Sequence, residues 1–232
     1  MRRYVLDWQR NCVSVREPFR IEQLDFPIAA YLLVNTRTFT SLETPRLILR
    51  RFRESDLASF MAYRNDREVA RYQSWESITR PEAVRFIAQQ GRHRPGIPGR
   101  WFQFAAELKA GGVLAGDCAL LVIRTTPRIG EIGYTFARAC QHLGLATEAA
   151  RAVIDFAFDS LGLNRVIATT DCRNAPSVAL MERLGMKRSG HFVHNAWIKG
   201  EWCDEYQYAV LREDWSRTSV SLPLRQAPRR DA

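Results

Sequence analysis

The stretch Gln141–Ala149, QHLGLATEA, decides how this chain is read. Before it, EIGYTFA (Glu131–Ala137) gathers aromatic and β-branched residues as a strand does. After it, AARAVIDFAFDSLGL sets Ala149, Val153, Phe156 and Ala157 on one helical stripe. The quoted residues therefore turn a strand into a helix, and Gly144 and Ala146 keep that turn small. A helix N-terminus offers unpaired N–H groups and partial positive charge, and it binds phosphate where no side chain blocks the approach. Gln141 adds a side-chain donor and Arg138 a nearby charge. The place where a strand enters a crossover helix is also where α/β folds commonly hold ligands. No Gly-Lys-Ser/Thr follows, so this is not a P-loop, and the dinucleotide fingerprint is absent. Alone, Q-x-x-G-x-A is equally a tight turn that needs a glycine.

Working outward, NRVIATTD (Asn164–Asp171) reads as a strand and SVALMERLG as a short helix that Gly185 caps. MKRSGHFVHNAWIKGEW and DEYQYAVL read as a closing antiparallel pair. Upstream, TPRLILRRF (Thr44–Phe52) is a strand, followed by a helix carrying Leu57, Phe60, Met61 and Tyr63. TRPEAVRFIAQQ is a second helix, with Thr79 as N-cap, Pro81 in the first turn and Glu82 completing a capping box. GRHRPGIPGR is a loop, and WFQFAAEL and VLAGDCALLVIR form a hairpin across AGG. This order predicts an α/β (α+β) fold: a mixed, mostly antiparallel sheet with helices on both faces and one parallel crossover, EIGYTFA–helix–NRVIATTD. Composition changes at Thr44, so residues 1–43 are expected to be an N-terminal extension, 44–215 the folded domain and 216–232 a basic C-terminal tail.

The chain has 232 residues and a net charge of +9, which favours anionic partners: nucleic acid, anionic lipid or a phosphorylated cofactor. Its five cysteines, Cys12, Cys118, Cys140, Cys172 and Cys203, show no C-x-x-C pairing and read as reduced thiols of a cytoplasmic protein. The four histidines add no metal-ligand pattern, so no metal is expected. No apolar run approaches the roughly 20 residues that span a bilayer, so no membrane association is expected. FPIAAYLLV (Phe26–Val34) reads as local packing, with a partner-binding patch second, rather than as a signal peptide.

From Glu131 to Gly185 the chain closely resembles the GNAT superfamily of acetyl-CoA-dependent N-acetyltransferases. EIGYTFA is similar to that family's central strand, QHLGLA to its pyrophosphate loop, and NAPSVALMERLGMKRSG to its second signature. ETPRLILR and GEWCDEYQYAVLRED resemble the two ends of the branch containing ribosomal-protein N-terminal acetyltransferases. The resemblance covers about residues 42–215 and implies a GNAT-like fold with acetyl-CoA bound at the parallel crossover.

It also implies residue roles. The amides of His142, Leu143, Gly144, Leu145 and Ala146, with Gln141, would hold the coenzyme A pyrophosphate. Thr135, Phe136 and Ala137 would lie along the pantetheine arm, and the amide near Thr135 would polarise the acetyl carbonyl. Glu131 would be the general base through water, or else an edge carboxylate. Asn174 would bond the cofactor arm or a water. The family's tyrosine acid is replaced by Met181, and Ser177 is the substitute, with a helix N-cap as its other reading. Ala196 stands where part of the branch has a glutamate; His191 and His194 are alternative bases. Cys140 and Cys172 flank the site, and direct transfer fits better than an acetyl-cysteine.

Tyr72, Trp75 and Tyr134, with Trp101 and Trp197, are expected to line an acceptor slot. Arg51, Arg53, Arg64, Arg67, Arg71, Arg80 and Arg85 make the first helical region basic; lining the groove, they would disfavour polyamines and aminoglycosides. A peptide or protein N-terminus, ribosomal in the first instance, is the leading acceptor, and a small amine such as an antibiotic the second. A non-catalytic acetyl-CoA sensor is the competing class, motivated by the missing tyrosine. A homodimer is the candidate assembly, and a nucleic-acid-binding role, resting on charge alone, ranks last.

Overall fold

The computed structural model describes residues 39–126 and 128–218; the segment Phe26–Val34 and most of both expected terminal regions lie outside them. Strand β1 (Ser41–Glu43) pairs antiparallel with β2 (Leu47–Arg50), β2 with β3 (Trp101–Leu108), β3 with β4 (Leu114–Val122), and β4 with β5 (Ile129–Phe136). Then β5 pairs parallel with β6 (Arg165–Asp171), β6 antiparallel with β8 (Glu201–Leu211), and β8 with the edge strand β7 (Lys187–Ile198). The result is one eight-stranded sheet in the order β1-β2-β3-β4-β5-β6-β8-β7. Its single parallel pair is joined by the helix expected there, α4 below.

Helices α1 (Leu57–Arg64), α2 (Arg67–Ala70) and α3 (Arg80–Arg92) precede β3. Helix α4 (Leu145–Asp159) is the crossover, α5 (Ala175–Arg183) follows β6, and α6 (Arg212–Thr218) follows β8. The α3 capping box forms as its sequence demands: Thr79 N–H donates to Glu82 Oε2 at 2.9 Å.

The two faces of the sheet carry separate apolar clusters. On one, Ala149, Val153 and Ala157 of α4 and Leu180, Met181 and Leu184 near α5 pack on Phe102, Phe104, Leu120 and Ile132. On the other, Phe60 and Tyr63 of α1 and Ala83 and Ile87 of α3 pack over Ala105 and Leu114. Every position of β4 is buried, because helices cover both its sides.

Two features depart from the sequence reading. The sheet begins upstream of Thr44: Phe39 and Leu42 belong to the main core, and Phe39 meets Phe102 and Phe104 edge-to-face at 5.5 Å each. A three-residue strand is too short to leave a readable period. The closing hairpin turns at Lys199 and Gly200, at φ of 51° and 84°, so Glu201 and Trp202 lie on the returning strand rather than the outgoing one. Consecutive positive φ angles match the twist a two-residue hairpin turn needs. Trp197 consequently faces Trp202, with ring centroids 5.3 Å apart.

Candidate active site

The parallel ladder between β5 and β6 runs only from Ile129↔Arg165 to Glu131↔Ile167. Beyond it each strand follows its other neighbour. β5 stays with β4 as far as Phe136↔Gly116, and β6 stays with β8 as far as Asp171↔Glu205. A V-shaped gap opens between them. Ala137 N–H donates to Ala115 O at 2.9 Å, and Ile123 N–H to Ile129 O at 2.9 Å. Antiparallel ladders alternate the direction of successive groups, so the amides of Thr135 and Ala137 point to β4. Those of Tyr134 and Phe136 point into the gap. The expected amide donor near Thr135 is therefore a neighbour's, and Ala137 contributes no free N–H.

A cleft of about 810 Å³ passes through this gap, with Tyr134, Thr169, Asp171, Asn174 and Ser177 among its walls and Glu131 in its depth. At the gap's end β5 runs through a 3-10 turn (Arg138–Cys140) into the loop before α4. His142, Leu143 and Gly144 are exposed there, while Leu145 is buried and anchors the helix start. Gly144 is the α4 N-cap at φ 76°, and His142 sits at φ 59°. Gly144 thus takes a left-handed conformation and also leaves the N-terminal amides of a 15-residue helix uncovered. Gln141 points inward instead: its Nε2 donates to Phe136 O at 3.0 Å, so it fixes the loop. Arg138 Nε is engaged by Asp66 at 3.1 Å.

A cation that the sequence analysis did not single out also reaches this loop. Arg46, from the turn between β1 and β2, donates through Nη1 to Leu143 O at 2.8 Å and through Nε to Glu148 Oε2 at 2.7 Å. Its Nη2 would stand 3.5 Å from a Cβ on Gly144. The signal was a basic residue in ETPRLILR facing an acidic one in ATEA, which only the fold brings together.

Glu131 is half-buried in the cleft floor. Burial pushes its carboxyl up to about 7; a hydrogen bond with Thr169 works against this, and the charge of Glu205 adds to it. A carboxyl that titrates near neutrality is suited to accept a proton during amine attack. Asn174 is the N-cap of α5, accepting from Ser177 N–H at 3.3 Å, so Ser177 is not itself the cap. The Ser177 hydroxyl lies 2.8 Å from Tyr134 Oη. Tyr134 thus reaches the start of α5 while lining the same cleft as Tyr72 and Trp75. Met181 is buried in the main core.

The cleft is also lined by Tyr72, Trp75, Trp101, Trp197 and Trp202, with Ala119 and Ala196. Trp202 was missed because its strand was misplaced. Arg64 is buried, its guanidinium 3.9 Å from the Trp75 ring centre and 3.3 Å from Asp117. Among the described residues no arginine lines the cleft, so the described basic region does not set its charge; Glu76, Asp117, Asp171 and Glu205 stand with Lys199 in the walls beside Glu131. Arg173 donates to both Asp171 oxygens and, against burial, holds that carboxyl below its usual value. His191, His194, Cys140 and Cys172 are not among the lining residues, and burial raises both thiols. His191 packs on Tyr206 at 4.9 Å, and His194 N–H donates to Asp204. Among the described residues no cluster of His, Cys, Asp or Glu could hold a metal ion, and no helix is long and apolar enough to cross a membrane.

Residues 46–187 match the family model described as an acetyltransferase (GNAT) domain. The chain is 30% identical over 175 residues to the uncharacterized N-acetyltransferase YnaD of Bacillus subtilis (strain 168), covering 75% of this chain and 99% of that protein. A GNAT-family acetyltransferase structure from Bacillus anthracis superposes with TM-score 0.67 at 29% identity, covering 75% of this chain and 99% of the other. A spermidine N-acetyltransferase from Vibrio cholerae, solved with CoA and spermine, shares the fold at TM-score 0.64 and 21% identity, covering 75% and 99%. A splayed parallel pair, an open helix start at its end and a matching family model agree, and the chain belongs to the GNAT family of N-acetyltransferases, whose acetyl donor is acetyl-CoA.

Proposed function

We propose that this enzyme carries an acetyl group from acetyl-CoA to the amino terminus of a peptide or protein by direct attack of the amine on the thioester. The residues present suit the donor. The amides from His142 to Ala146, at the uncapped start of α4, and the Arg46 guanidinium gather positive potential for a diphosphate. The backbone edges of Tyr134 and Phe136 on one side, and of Thr169 and Asp171 on the other, offer hydrogen bonds to an extended amide-bearing arm. Bound there, acetyl-CoA supplies the activated acyl group.

The chain's own groups do the rest. Glu131 receives the amine proton through a water, and Ser177 returns a proton to the sulfur. Asn174 holds the start of α5 so that Ser177 faces the gap. The C–N bond forms, the C–S bond breaks with its electron pair going to sulfur, and the amine has lost one proton.

One observation carries the acceptor class. Trp197 and Trp202 line the cleft yet remain 57% and 45% exposed, so the acceptor wall continues onto the surface as an aromatic lip. Such a lip suits an acceptor with a body beyond its amine. A ribosomal-protein N-terminus is the first candidate within this class. Glu131 and Glu205, lining carboxylates that no arginine among the described residues engages, favour a second reading, a small polycationic amine.

Free-thiol release at saturating acetyl-CoA separates them, using N-terminal peptides, polyamines and an aminoglycoside as acceptors. Peptide turnover that falls on Trp197→Ala or Trp202→Ala is the expected result. Turnover of polyamines alone, indifferent to both changes, would install the second reading. Tight acetyl-CoA binding without turnover of any acceptor would make the protein a sensor.

A further inference from the structure

Met181 occupies the position where the family resemblance leads one to expect a tyrosine acid, and it is buried in the main core. A tyrosine reaches the start of the same helix from the sheet instead. Tyr134 Oη lies 2.8 Å from Ser177 Oγ and 3.3 Å from Ser177 O. Both residues line the cleft where β5 and β6 part. The Tyr134 ring packs against the main core, which fixes the direction of its hydroxyl.

A serine hydroxyl alone is a poor acid, because giving up its proton leaves an alkoxide with nothing to stabilise it. Two hydrogen-bond arrangements are available to this pair. In one, the phenol donates to the Ser177 carbonyl and Ser177 donates to the phenol oxygen. In the other, the phenol donates to Ser177 Oγ, and the serine proton is released toward the cleft. We propose that Tyr134 is the positioning residue that makes Ser177 a proton donor to the departing sulfur, replacing from the sheet the tyrosine that α5 lacks.

This rests on the reading of Ser177 as the acid. As the C–S bond breaks, the Ser177 proton goes to sulfur and the Tyr134 proton refills Ser177. Solvent refills Tyr134, while the amine proton leaves through Glu131. Burial raises the Tyr134 phenol well above its usual range, so it stays protonated wherever the amine reacts.

The test uses the full chain with Tyr134→Phe, Ser177→Ala and the double variant, each checked by thermal melting. Calorimetry measures acetyl-CoA affinity, and ultraviolet thiolate absorbance measures the titration midpoint of bound coenzyme A. Tyr134→Phe should lower kcat about 10- to 100-fold at unchanged acetyl-CoA affinity. It should also raise the bound thiol's midpoint by about one pH unit, through loss of a donor to the thiolate. The double variant should match Ser177→Ala alone, as expected of groups acting as a unit. An unmoved midpoint in Tyr134→Phe, or losses that multiply in the double variant, overturns the proposal. If the wild type turns over no acceptor, the functional reading has failed, and the thiolate midpoint still decides the role of Tyr134. Should Tyr134→Phe not fold, the midpoint in Ser177→Ala decides: unchanged from wild type, it removes the donor that Tyr134 is proposed to position.

Discussion

Arg46 Nε donates to Glu148 Oε2 at 2.7 Å, tying the turn before β2 to the first turn of the crossover helix across 102 residues of chain. The same carboxylate accepts from Thr44 Oγ1 at 2.6 Å and from Arg46 N–H at 2.8 Å. Arg46 also holds Leu143 O, beside the two left-handed residues of the loop. Left-handed backbone at a non-glycine such as His142 is costly unless its surroundings impose it. Arg46 is therefore a clamp on the loop that is proposed to bind the cofactor.

Removing the clamp should cost binding more than stability. Arg46→Ala is expected to weaken acetyl-CoA binding about tenfold by calorimetry, with a fall of a few degrees in Tm. Arg46→Lys should not restore affinity, because one ammonium on a flexible stem does not reproduce the guanidinium fork that reaches Leu143 O and Glu148 together. Wild-type affinity in Arg46→Ala would reduce the clamp to an ordinary surface ion pair.

Gly144 tests the loop directly. Gly144→Glu places a carboxylate where a diphosphate is read to sit, and acetyl-CoA affinity should fall at least about 100-fold. Gly144→Ala is the control: at φ 76° it carries the backbone cost of roughly 1–2 kcal/mol but no charge. Its binding should stay much closer to wild type than that of the glutamate variant. Equal losses in the two would mean that loop conformation, not charge, governs the site.

Much of this was legible before folding, and the exceptions share a cause. WFQFAAEL became β3 with its predicted bounds, and Thr79–Glu82 formed its box, because period and capping are local properties. The family motifs located the loop and α5 for the same reason. Gln141 was read as a ligand donor and is an internal bond to Phe136; Arg46 was passed over and reaches the loop. Tyr134 lines the cleft and also bonds Ser177, a contact the sequence did not suggest. Each depends on which face of a strand meets which helix, a long-range fact with no periodicity in sequence.

Gly116 is the site where backbone packing sets the cleft's shape. A Cβ there would strike the Thr135 carbonyl oxygen and approach Phe136 Cα to 2.7 Å. Thr135 and Phe136 belong to the part of β5 that borders the gap, so the collision cannot be relieved without moving the gap's edge. Gly116→Ala should destabilise the protein by about 1–3 kcal/mol in denaturant unfolding. It should also raise KM for acetyl-CoA. A variant as stable as wild type would show that β4 and β5 can separate freely here.

As the proposed base, Glu131 makes opposite demands on activity and stability. Its carboxyl, pushed up to about 7 by burial, must be ionised to accept a proton. The rate at subsaturating acceptor should therefore rise with pH through a midpoint near 7, and Glu131→Gln should abolish that limb while lowering kcat about 100-fold or more. For stability the sign reverses. Between the ordinary carboxylate pKa and 7 the folded state holds a proton that the unfolded state has released, so stability falls as pH rises through that window. Above it, the wild type carries the full cost of a half-buried charge, and Glu131→Gln, which has none, should melt higher than wild type at pH 8. At pH 4.5 the two should melt nearly together. A variant that loses activity but gains no stability at pH 8 would mean that Glu131 is already stabilised as a carboxylate in the free enzyme, and its titration could not then produce the activity limb near neutrality.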